Sequence, residues 1–210
     1  MKTITLLAQK GGTGKTTLAV HLAVWATQTG KRVRLLDLDP QASAATWKMR
    51  RDESFPEILP VLAKELPQAS IKAGSEGIDV LFIDTAPHAG AEGKIASSTA
   101  DLTLIPTRPA IFDLDAIGAS VEIVKSIAAN ASIVLNACPP PARFGEATIV
   151  REAREALKGY GLPVCPIAIS QRAAMGHALI GGQAVTEFEE NGKAAAEIKK
   201  LWQWIEQETA

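Results

Sequence analysis

Cysteine is scarce in this 210-residue sequence, and its scarcity removes whole classes of chemistry. Cys138 and Cys165 lie in or beside apolar segments and lack the paired spacing of zinc or iron–sulfur ligands. They read as buried free thiols in a reducing cytosol. Long apolar runs are missing as well: none approaches the roughly 18 residues that a membrane-spanning helix needs. The apolar stretch at residues 1–8 is too short for a secretory core and carries no small-residue cleavage site. The expectation is a soluble, cytoplasmic protein with no membrane anchor. Nor is there a surplus of positive charge; at a formal net charge of −1, contact with nucleic acid would have to come from a local basic patch. No repeat, low-complexity tract or linker divides the chain, and nothing ahead of the first strand could hold a helix-turn-helix module. One domain over residues 1–210 is therefore expected.

With 47% hydrophobic and 21% charged residues, the composition is that of a chain able to bury a core. Short apolar runs recur at 4–8, 33–37, 80–84, 102–106, 133–136 and 164–169, with helix-compatible stretches between them. Most of these runs do not alternate polar with apolar, as expected of parallel strands covered on both faces. The pattern predicts an α/β fold, a doubly wound and mostly parallel sheet flanked by helices, with the site at the carboxyl ends of the strands. Helices are predicted over 16–29, stopped by Gly30, over 113–128 and over 146–160. Another is predicted over about 193–207, where Ile198, Leu201, Trp202 and Ile205 fall at helical spacing. Between 51 and 77, Pro56, Pro60 and Pro67 leave room for a short strand or turns, then a helix near 66–73.

The first strand runs into Gln9-Lys10-Gly11-Gly12-Thr13-Gly14-Lys15-Thr16-Thr17 and then a helix, the context of a phosphate-binding loop. Glycines let successive backbone N–H groups turn inward around phosphate oxygens, and the helix N-terminus adds its partial positive charge. Lys15 can reach the β- and γ-phosphates of a nucleotide, and the Thr16 hydroxyl can ligate Mg²⁺. The ordinary pattern begins with Gly; here that position is Gln9, and a second lysine, Lys10, follows it. Two strand ends carry acids: Asp37-Leu38-Asp39-Pro40-Gln41, and Val80-Leu81-Phe82-Ile83-Asp84-Thr85-Ala86-Pro87, an apolar strand ending in an acid that can hold Mg²⁺. Taken singly, each acid also fits a turn or a helix cap.

Lys10 to Thr16 resembles the deviant Walker A motif K-G-G-x-G-K-[ST], the mark of the P-loop family that contains ParA, MinD and the nitrogenase iron protein. The stretches 100–109 and 133–136 are similar to those of small ParA-type (ParF-like) partitioning ATPases. The resemblance implies an ATPase that uses ATP and Mg²⁺ and works as an ATP-dependent homodimer. In it Lys10, Gly11, Gly12, Thr13, Gly14, Lys15, Thr16 and Thr17 surround the nucleotide. Lys10 crosses the dimer interface to the partner's phosphates, Asp39 orients the attacking water, Asp37 supports both the Mg²⁺ shell and Lys10, and Thr16 and Asp84 hold Mg²⁺. Asn136 recognises adenine, with a strand-terminating turn as its alternative reading. Lys10 could also be a solvated loop lysine.

Within the family, an iron-protein role needs cluster cysteines that this chain does not offer. A MinD-like membrane role needs a basic amphipathic C-terminal helix, whereas the tail reads Glu206-Gln207-Glu208-Thr209-Ala210. An enzyme acting on a small metabolite would leave Lys10 unexplained. The partition reading implies non-specific DNA as one partner, a ParB-like adaptor or cargo protein as another, and nucleoid association in the ATP state. Candidate DNA contacts are Arg143, Arg151, Arg154 and Lys158, the last three sharing a helix face, with Arg172, Lys199 and Lys200 extending the patch. Glu152 and Glu155 sit among them, so a solvated helix face is the alternative.

Overall fold

The computed structural model describes residues 1–142 and 145–210. Six strands form one parallel sheet: β1 (Lys2–Leu6), β2 (Val33–Asp37), β3 (Glu57–Pro60), β4 (Val80–Asp84), β5 (Leu102–Thr107) and β6 (Ala131–Leu135), in the order β3-β2-β4-β1-β5-β6. Residues of β2, β4, β5 and β6 are buried throughout, because helices cover both faces. Side-chain alternation sorts them. Ile4, Leu6, Val33, Leu35, Val80, Phe82, Leu102, Leu104 and Val134 pack on one face against α1 (Lys15–Gln28) and α10 (Lys193–Glu208). On the other face, Leu36, Leu81 and Ile83 meet α3 (Leu66–Ser75) and α4 (Gly90–Thr99), while Ile105, Ile133 and Leu135 meet α6 (Gly118–Ser126) and α7 (Thr148–Leu157). The stripe predicted on α10 is core: Ile198, Leu201, Trp202 and Ile205 are all buried, and the Trp202 ring lies 6.1 Å from that of Phe82.

Register sets up the site. Leu6 pairs with Asp84 and Asp84 with Asp37, so the chain leaving β1 does so beside two strand-end carboxylates. The connections run from β1 to one side of the sheet through β2 and β3, return at β4, and pass to the other side at β5, which opens a crevice at the carboxyl ends.

The structure departs from the sequence reading in several places. The helix expected over 113–128 is two, α5 (Ile111–Ala116) and α6. The Tyr160 hydroxyl donates to the Leu114 carbonyl at 2.7 Å, occupying an acceptor that a continuous helix would use. Residues 164–169 run beside β6 without forming a regular strand. Cys165 N–H donates to Ile133 O and Ile169 N–H to Leu135 O, so four residues span what two span in β6. Pro166, in between, has no N–H to offer. Residues 146–160 form α7 and then a 3₁₀ turn, Lys158–Tyr160. Four further helices had not been expected: α2 (Ser43–Lys48), α4, α8 (Ala173–Ile180) and α9 (Val185–Phe188). Both cysteines are free and buried, and burial pushes their thiols up to about 12. Among the described residues, no helix is long and apolar enough to cross a membrane.

Candidate functional site

The phosphate loop is built by glycine geometry. Gly12 and Gly14 have φ of +74° and +90°, a region open to glycine at little cost. At Gly14 a side chain is also excluded by contact, since a Cβ would lie 2.3 Å from Asn136 Nδ2. Asn136, at the end of β6, donates its amide to the Thr13 carbonyl at 2.7 Å and so fixes the curve of the loop. Gln9 is a clamp. Its carbonyl accepts the His88 N–H at 3.1 Å, its side chain donates to Ala89 O at 3.1 Å, and its own N–H donates to Ser120 Oγ at 3.0 Å. Loop and post-β4 segment are therefore tied together at the position where the ordinary motif has glycine.

The structure brings Lys15, Thr16, Asp37, Asp39 and Asp84 together at the opening of α1. Lys15 is buried and donates to the Ala8 carbonyl at 3.3 Å. Burial lowers its pKa, while Asp84 and Asp39 work against that shift. Asp84 is fully buried, and neither carboxylate oxygen has a partner in good hydrogen-bond geometry, although the Thr16 hydroxyl lies near enough to favour its charged form. Burial pushes this carboxyl up to about 7; Thr16 and Lys15 pull the other way, and Asp37 and Asp39 add to the rise. A buried acid without a well-aligned protein donor is an acceptor set waiting for a cation, so the residues fit Mg²⁺ held by Asp84 and Thr16.

Asp37 is differently engaged. Its Oδ1 accepts the Asp39 N–H at 3.1 Å, and its Oδ2 accepts the N–H groups of Ala44 and Ala45 at 3.0 and 3.3 Å. It thus organises the loop after β2 and the first turn of α2, and its contact with Lys10 expected from the sequence is not made. Instead, Lys10 folds onto its own chain, with Nζ 3.1 Å from Asp113 Oδ2 and donating to Phe112 O at 3.1 Å. Asp39 is half-buried, and its Oδ1 accepts the Gln41 N–H at 2.9 Å.

Beside the loop lies a cavity of about 580 Å³ lined by Gly12, Thr13, Gly14, Thr17, Asn136 and residues 169–173 and 175–177. Its far wall was not anticipated. The run at 164–169 ends there, and the rule that ligands sit beyond strand ends was the signal that pointed to it. On the other side of Thr16 and Thr17, a second cavity of about 520 Å³ is lined also by Gln41, Ser43, Trp47 and Arg50.

The proposed DNA residues do not form one patch. Arg143 lies outside the described residues. Arg151 is exposed on α7, while Arg154 turns back to Glu146 and to the Cys165 carbonyl at 2.7 and 2.6 Å. Lys158 is in the 3₁₀ turn after α7 and pairs with Glu155. Arg172 is bound to Glu197 at 2.8 Å on the rim of the larger cavity. Lys199 and Lys200 are on α10, which covers the opposite face of the sheet from α7, so they cannot extend its surface.

Known proteins share this arrangement. Residues 4–185 match the family described as CobQ/CobB/MinD/ParA nucleotide binding domain. "Maintenance of carboxysome distribution protein A" of Halothiobacillus neapolitanus is 27% identical over 203 residues, covering 93% of this chain and 91% of that protein. "Protein IncC" of Escherichia coli is 28% identical, over 98% of this chain and 69% of its own. Among solved structures, the MinC:MinD cell division protein complex of Aquifex aeolicus superposes with a TM-score of 0.79 at 16% identity, covering 99% of this chain and 96% of that one. Apo McdA from Cyanothece gives 0.76 at 18%, with 95% and 98% covered. Phosphate loop, paired strand-end acids and parallel sheet agree with these matches, and the chain belongs to the CobQ/CobB/MinD/ParA family of nucleotide-binding P-loop proteins.

Proposed function

We propose that this protein is an ATP-dependent dimerising ATPase that binds DNA without sequence preference and positions a cargo through an adaptor protein. The observation that carries the reading is the pairing of a complete phosphate site, Lys15, Thr16 and the buried Asp84, with a second lysine that has no hydrogen bond or ion pair to any of the three. Backbone N–H groups from Gly12 to Thr16 receive the phosphates, and Lys15 neutralises the β- and γ-oxygens. Mg²⁺, when bound by Thr16 and Asp84, offsets charge on the phosphate oxygens. Asp39 orients the water that attacks the γ-phosphorus as its bond to the departing ADP oxygen breaks. Asn136 and the larger cavity receive the adenosine. Lys10 acts across a dimer, where a second cation stabilises the transferring phosphoryl group.

A DNA role is favoured over a lipid role by α10, whose apolar stripe is docked on the core and is not available to a bilayer. Among the described residues of these two helices, the cationic side chains free of carboxylate partners are Arg151 on α7 and Lys193, Lys199 and Lys200 on α10; the helices lie on separate faces, so a DNA surface built from either one gains contacts from a second copy of the chain. Dimerisation doubles the phosphate contacts and raises affinity through effective concentration. The test is binding of the Asp39→Ala protein to random duplex DNA with ATP, ADP or no nucleotide across a salt series. Binding should appear with ATP alone, ignore sequence and weaken steeply with salt. Equal weak binding in all three states would contradict the gate, and binding only to anionic vesicles would move the protein to a membrane role.

A further inference from the structure

Most of the arginines near the sheet are saturated. Arg34, Arg51, Arg154 and Arg172 each donate to a carboxylate at 2.7 to 2.8 Å. Arg108, which follows β5, is different. Its Nε is buried and has no hydrogen-bond partner, and its nearest carboxylate oxygen, Asp113 Oδ1, is 3.5 Å away. Yet its side chain is 42% exposed, with a terminal nitrogen 3.0 Å from where a Cβ on Gly12 would stand. The guanidinium therefore packs directly on the phosphate loop.

Asp113 is the other half of the arrangement. Its side chain is only 8% exposed, Oδ2 lies 3.1 Å from Lys10, and Oδ1 faces Arg108. Two cations share one carboxylate, which leaves one positive charge unbalanced beside Gly12. An arginine fork with unused donors, fixed over a phosphate loop and short of negative charge, is suited to an oxyanion. Gly12 precedes Lys15 by three residues, and Lys15 addresses the β- and γ-phosphates, which places the fork near the terminal end of the chain of phosphates.

We propose that Arg108 is a phosphate-contacting residue supplied by the same chain, selective for the triphosphate, and that Asp113 competes with the nucleotide for it. This rests on the ATPase reading above. It differs from the role of Lys10, since Arg108 serves its own site and needs no second copy. Asp113 restrains both cations until phosphate arrives.

Isothermal titration of ATP and ADP, each with Mg²⁺, into the parent protein, Arg108→Gln and Asp113→Asn tests this. A charged hydrogen bond corresponds to about tenfold or more in affinity. Arg108→Gln should therefore weaken ATP by about that factor and ADP much less, while Asp113→Asn should tighten ATP. An ion pair of purely structural value would make both variants err in the same direction. Weaker ATP binding in both, or equal loss of ATP and ADP in Arg108→Gln, overturns the proposal. Melting without nucleotide establishes that each variant is folded. Failure of the parent to bind ATP would instead strike the ATPase reading itself.

Discussion

His21 shows how one residue on the phosphate-loop helix can hold the walls of the site. It is fully buried, its Nδ1 accepts the Val185 N–H at 3.1 Å, and its Nε2 faces the Met175 carbonyl at 3.2 Å. An acceptor at Nδ1 requires the neutral ring with its proton on Nε2. Met175 lines the larger cavity, so His21 ties α1 to that wall. Burial pushes its pKa down to about 4, against the opposing pull of the Met175 carbonyl and Glu187. Because the folded value lies below the unfolded 6.5, the stability it contributes is fully present above pH 6.5 and is lost as pH falls toward 4. Between pH 7 and pH 5 the loss from this residue is about 2 kcal/mol. Urea unfolding should show the His21→Gln protein less sensitive to pH by that amount; an unchanged pH slope would contradict the assignment. Residues whose position follows from motif and strand end, such as Lys15, Thr16 and Asp84, could be placed from sequence. Gln9, Arg108, Asp113 and His21 could not, because Ala89, Gly12, Lys10 and Val185, which they respectively meet, come from segments 80 or more residues away.

At the scale of elements, uninterrupted apolar runs between glycine and proline made five of the six strands readable, and the even i, i+3, i+4, i+7 stripe did the same for α10. The errors have physical causes. Pro163 and Pro166 deny the run at 164–169 a regular ladder, and a hydroxyl from Tyr160 ends α5, an event that local periodicity cannot reveal. α2 has only six residues and owes its first turn to the Asp37 carboxylate. Docking of α10 has a direct measure. Leu201 is fully buried against α1 and the sheet, so Leu201→Ala should lower unfolding free energy by about 2 to 5 kcal/mol. A change near zero would mean that the helix leaves the core in solution, which would reopen a membrane role.

The whole molecule is arranged so that strand β1 delivers a loop beside the two acids that end β4 and β2, while β5, α5 and β6 on its other side bring Arg108, Asp113 and Asn136 to the same rim. The parallel sheet and the site's location were accessible to reasoning from sequence, because parallel sheets place ligands at their carboxyl ends; the order of the strands was not. The distribution of basic residues was not, since helix spacing alone does not tell which face of the sheet a helix covers. In one chain, Lys10 rests on Asp113 and Phe112 at the rim and has no hydrogen bond or ion pair to Lys15, Thr16 or Asp84. For it to serve catalysis, a second copy must present its own phosphates. Sedimentation of the Asp39→Ala protein with ATP and Mg²⁺ is the most direct test of that claim. A species of twice the chain mass with ATP, and the single chain with ADP or without nucleotide, is the predicted result; a single chain under all three conditions would contradict it.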